Sequence, residues 1–149
     1  MLLRALLLVA VTISGISAVD AQQDPIQARD ELMRIQGRHG YGALPRIVRG
    51  QDPYDQAKVD QAFADFASTS QKLPPLWPEN SKPTGPVGDF NASLKIWENK
   101  ADFDARLAKF SKDIAEHRGK VTDLDSLKAS FAVIRQNCDS CHEIYRVKN

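Results

Sequence analysis

The sequence contains little that declares a function in bulk. Lysine and arginine number 20 against 19 aspartates and glutamates, so neither charge dominates. That argues against nucleic acid or an anionic membrane surface as the main partner, since either favours a basic stripe. Beyond the N-terminus, no apolar run reaches the roughly 20 residues that a membrane-spanning helix needs. There is no internal repeat and no strand-like alternation, and only two cysteines occur. What remains is a chain of 149 residues, 42% of them hydrophobic. It is too apolar to stay disordered and long enough for one domain around a single core.

The N-terminus reads as an export signal. Met1-Leu-Leu-Arg4 is a short basic start, and residues 5–16 are almost wholly apolar. Val19-Asp20-Ala21 then puts small residues at cleavage-site spacing, with a non-small Asp20 between them. The apolar run is shorter than a membrane span; an uncleaved anchor is the competing reading. Cleavage after Ala21 leaves residues 22–149 as one exported domain in the periplasm, with no membrane span after processing. Export also implies an oxidising compartment, where two cysteines ordinarily suggest a disulfide.

Four segments carry helical periodicity. The first runs over about 25–48, with Asp24 as N-cap and Pro25 at the first helical position. Pro45 inside it is expected to end or kink the helix. The second covers about 55–73, with Val59, Phe63, Phe66, Ser70 and Leu73 on one face. Residues from about 74 to 91 hold Pro74, Pro75, Pro78, Pro83 and Pro86 with Gly85 and Gly88, a density that predicts one long crossover loop. The third helix spans about 93–117 with a break near Asn99, a stripe of Phe103, Leu107, Phe110 and Ile114, and Gly119 closing it. The fourth starts at Thr122, whose cap has Asp125 three residues on, and continues to about Arg146. Four such helices give an all-α, antiparallel four-helix bundle.

The chemistry sits near the C-terminus. Cys138-Asp139-Ser140-Cys141-His142 is C-x-x-C-H, the attachment signature of a c-type haem. Two thiols at i and i+3 share one side of a helix, spaced to form thioethers with two vinyl groups on one porphyrin edge. His142, four residues after Cys138, lies on the same face and can bind the iron as proximal ligand. Leu124, Leu127, Phe131, Ile134, Cys138, Cys141 and Tyr145 continue one apolar stripe, so the thiols point towards the bundle core. A zinc site needs a second ligand pair, which His39 and His117 do not form. A thiol oxidoreductase places its C-x-x-C at a helix N-terminus after a strand, and this one lies near a helix C-terminus.

With these features the sequence resembles the class II c-type cytochromes, the cytochrome c′ family: four-helix bundles with C-x-x-C-H close to the C-terminus. Tyr145-Arg146 after the motif, Gly50-Gln-Asp-Pro-Tyr54 before the second helix and Ile96-Trp97 leading into the third carry the resemblance across the exported chain. It implies one covalent haem c facing the first helix. In the family, a distal position four residues after an arginine separates two subgroups. A bulky apolar residue there leaves five-coordinate iron that binds small gases. A methionine there ligates the iron in the low-spin members known as cytochrome c-556. Here Met33 stands four residues after Arg29, so the sequence resembles the low-spin kind.

The residues agree with that reading. Met33 is the only methionine besides the initiator, and Ile26, Arg29, Gly37 and Gly40 share its face. The two glycines would let a flat ring approach the backbone. A core-filling Met33 and a His39 ligand are the alternatives. By resemblance, Arg29 pairs with a haem propionate and Arg146 stands near the proximal ligand; an ordinary surface ion pair is the competing role for each. Trp77 and Trp97 read as core plugs beside the loop. Iron with both axial positions filled by His142 and Met33 binds no substrate, which implies an electron carrier rather than an enzyme. Its partners are then redox proteins of the periplasm, with homodimerisation an open alternative. The rival function is a five-coordinate cytochrome c′ that binds NO or CO.

Overall fold

The computed structural model describes residues 24–85 and 90–148. The expected signal segment, residues 1–21, and Pro86 and Gly88 of the proline-rich stretch lie outside them.

Helix α1 (Pro25–Gly37) starts where Asp24 accepts a hydrogen bond from the Ile26 N–H at 2.9 Å, with Pro25 filling a position that needs no donor. The regular α-helix is interrupted ahead of Pro45: Arg38–Ala43 form a wider π-helical turn, closed by the Leu44 N–H donating to the His39 carbonyl five residues back. The chain then continues as α2 (Leu44–Val48). An α-helical proline ring collides with the carbonyl four residues earlier; widening the preceding turn relieves that collision without ending the helix. Gly50 reverses the chain with φ +69°, the only positive φ among the described residues, and a side chain there would cost about 1 kcal/mol.

Asp55 caps α3 (Gln56–Lys72) through the Lys58 N–H. The crossover is not featureless. It contains 3₁₀ turns at Pro74–Leu76 and Glu79–Ser81 and ends in a strand, β1 (Phe90–Ala92). The break near Asn99 is present: α4 (Lys95–Glu98) stops there, and the Asn99 side chain accepts from the Asp102 N–H to start α5 (Lys100–His117). Gly119 lies in the turn after α5 but takes no left-handed conformation, so the helix closes without that device. The last helix, α6 (Leu124–Tyr145), is capped by Asp123 rather than Thr122. Ser126 completes the capping box in place of the expected Asp125. A hydroxyl at the third position can give and accept at once, which an acid pattern does not reveal.

After Tyr145 the backbone turns extended and forms β2 (Arg146–Lys148), antiparallel to β1 with Asn91 opposite Val147. No strand is expected from the sequence. These two are three residues each, too short to leave an alternating pattern.

Packing contacts run from α1 to α3, α3 to α5, α5 to α6, and α6 back to α2, closing a four-helix ring. The core divides in two. Leu44, Ile47, Phe63, Phe66, Leu127 and Ile134 belong to one cluster. Leu73, Ile96, Phe103, Leu107 and Tyr145 make the other. Among the described residues, no helix is long and apolar enough to cross a membrane.

Candidate haem site

The cap at Asp123 sets the phase of α6, and buried Leu127, Phe131 and Ile134 hold one face against the core. The same face continues through Cys138 and Cys141 to Tyr145, which is 4% exposed. Both cysteines carry free thiols and are half-buried. Burial pushes the Cys138 thiol up to about 11 and raises Cys141 as well. They are therefore protonated at neutral pH, the opposite of the depressed thiol that a dithiol redox site uses. Burial first, then the nearby Arg146 charge, pushes His142 down to about 4, which keeps its imidazole neutral, the form that ligates metals. Arg146 itself is exposed at the start of β2.

Met33 of α1 and Cys141 of α6 pack against the same cluster of Leu73, Phe103 and Tyr145, along with Leu32, Trp77 and Ile144. His39 turns away from Met33's face: its Nε2 lies 2.8 Å from an Asp65 carboxylate oxygen on α3, and its ring meets Phe66 edge-on. A Cβ built on Gly37 meets nothing within 4 Å, whereas one on Gly40 meets Phe66 at 4.0 Å. Only Gly37 leaves open space beside the Met33 stripe.

Arg29 is 6% exposed. One terminal nitrogen donates to the Leu76 carbonyl and the Ser81 hydroxyl, both at 2.9 Å, and the other to the Ser81 carbonyl at 3.0 Å. Its guanidinium lies 4.4 Å over the Trp77 ring. Three of the five donors that an arginine carries are thus spent on the crossover loop, and two remain. Trp77 packs edge-on against Phe103 at 4.7 Å, as a core plug does.

Tyr41, within the π-helical turn, is a residue the sequence reading missed. Its hydroxyl donates to Asp139 at 2.7 Å and lies 3.3 Å from His142 Nδ1. The two rings stack with centroids 6.4 Å apart at 26°. No spacing rule reaches it, because the widened turn shifts the helical phase after Met33.

These residues fit a haem. Two neutral thiols and a neutral imidazole share one helix face, with a thioether donor packed on the same cluster from the facing helix. Within that cluster the buried Trp77 Nε1 lacks a hydrogen-bond partner, a donor available to a group that carries carboxylates. Among the described residues, no three His, Cys, Asp or Glu side chains converge as a bare metal site would require.

A family model described as Cytochrome C′ matches residues 24–146. Cytochrome c-555 of Bradyrhizobium diazoefficiens is 38% identical over 145 residues, 97% of each chain. Among solved structures, cytochrome c′ from Rhodopseudomonas palustris matches with a TM-score of 0.77 and 35% identity, covering 86% of this chain and 99% of that one. An NMR-validated model of oxidised R. palustris cytochrome c556 matches with a TM-score of 0.74 and 39% identity over the same shares. With its four-helix ring and its C-x-x-C-H helix, the chain belongs to the class II c-type cytochromes, the cytochrome c′ family, and its cofactor is one covalent haem c.

Proposed function

We propose that this monohaem cytochrome is a periplasmic electron carrier. Cys138 and Cys141 form the thioethers, His142 is the proximal iron ligand and Met33 the distal one. The observation that carries this reading is the packing of Met33 and Cys141 on one cluster from facing helices. The Asp65 contact of His39 supports methionine over histidine on the distal side.

Bound haem supplies the one-electron couple. His142, held neutral, offers its ring nitrogen to the metal. Met33 offers a soft thioether that favours the reduced state and raises the potential. Phe103, Leu107 and Tyr145 exclude water around that site. Arg29 fixes the crossover loop, and its two remaining donors can serve a haem carboxylate. Arg146 places positive charge on the proximal side.

Residues 1–21 act as the export signal and 22–149 form the working domain. Mass spectrometry of the purified protein should find Gln22 at its N-terminus; a membrane-bound form that retains Met1 would contradict this. Redox proteins of the periplasm are its partners.

The gas-binding reading has one observation in its favour: relatives named cytochrome c′ and c-556 match this chain at similar identity. A visible spectrum of the reduced protein with and without carbon monoxide separates the two readings. A carrier gives a low-spin spectrum that carbon monoxide leaves unchanged. A high-spin spectrum shifted at once by carbon monoxide would establish the gas binder.

A further inference from the structure

Tyr41 joins two elements far apart in the chain: its hydroxyl stands 2.7 Å from Asp139 Oδ1 and 3.3 Å from His142 Nδ1. A phenol has one proton, and a carboxylate can only accept. The shorter contact therefore takes the proton, and towards His142 the phenol oxygen acts as acceptor. A phenol keeps its proton at neutral pH, so the proton stays on the oxygen. The hydrogen on His142 is thereby placed on Nδ1, and Nε2 is left with its lone pair free. Arg135 holds the arrangement. It donates from Nε to the other Asp139 oxygen at 2.8 Å and from a terminal nitrogen to the Gly40 carbonyl at 3.0 Å. Its guanidinium also lies 3.7 Å over the Tyr41 ring.

Metal-bound histidines commonly give their second N–H to a carboxylate or carbonyl, which fixes the tautomer and strengthens the ligand. We propose that Tyr41 is the positioning residue for His142: with Asp139 behind it, it accepts the Nδ1 hydrogen, fixes the ring and increases its donation to the metal. The proposal rests on the reading of His142 as iron ligand. The π-helical turn has a role in it as well, since it carries Tyr41 to α6, as such turns frequently do at functional sites. Stronger donation favours ferric iron, so the hydrogen bond lowers the potential that Met33 raises.

The test uses holoprotein. Tyr41→Phe keeps the stacked ring and removes the oxygen; Asp139→Asn keeps the phenol and removes the charge behind it. Two quantities are read: the ferrous-to-ferric ratio at fixed solution potential, and the NMR exchange rate of the His142 Nδ1 hydrogen with deuterium oxide. Tyr41→Phe should raise the ratio and speed the exchange. Asp139→Asn should move both the same way by less. If both variants leave ratio and exchange unchanged while the unmutated protein shows hyperfine-shifted His142 signals, this proposal is overturned and the ligand assignment stands. If the unmutated protein lacks those signals, both are overturned.

Discussion

Met33 of α1 and Cys141 of α6 lie against one apolar cluster, brought there by a helix ring that closes α6 onto the first helical segment. The C-x-x-C-H helix and the one candidate methionine thus share one cluster across the core.

The attachment claim is tested at the thiols. Replacing both Cys138 and Cys141 with Ser should leave a protein whose haem is lost on acid–acetone extraction. Each single replacement should weaken retention, and loss of His142 should block maturation. Haem that survives extraction in the double variant would show that the attachment lies elsewhere.

Arg29 has a structural role apart from the cofactor. Removing it as Arg29→Leu leaves the Leu76 and Ser81 carbonyls without their charged donor. The cost should be about 3 kcal/mol, the upper range for hydrogen bonds to a charged group. Guanidinium chloride unfolding of the holoprotein measures it. A midpoint within error of the parent would mean that the loop does not depend on this residue.

The Tyr145 hydroxyl, donating at 2.6 Å, and then Arg106 hold Asp102 below the usual carboxylate range. A depressed acid adds stability above its unfolded pKa of about 4, and that stability is lost as pH falls through the folded value. Asp102→Asn should therefore lower Tm at pH 7, and the gap to the parent should narrow steadily below about pH 4. A gap that stays constant with pH would assign the loss to packing instead.

Legibility followed the length of the signal. The four helices, the cap at Asp24 and the break at Asn99 were readable, because each rests on local chemistry or on several turns of apolar spacing. The grouping of Cys138, Cys141 and His142 on one face was readable for the same reason. Pro45 marks the interruption of the regular helix but not its form, a π-helical turn that sequence rules do not encode. Tyr41 was hidden by that same turn. The β1–β2 pair joins residues across the whole C-terminal half through three-residue strands, so no local pattern announces it.

The most direct test of the account is the spectrum of Met33→Leu. Leucine keeps the volume roughly constant, so packing should suffer by less than about 1.5 kcal/mol. What should disappear is the thioether bond to iron. The ferric protein should turn high-spin and lose its weak red charge-transfer band, the ferrous form should take up carbon monoxide, and the reduction potential should fall. A Met33→Leu spectrum identical to that of the unmutated protein would contradict the account and leave the distal ligand to another residue.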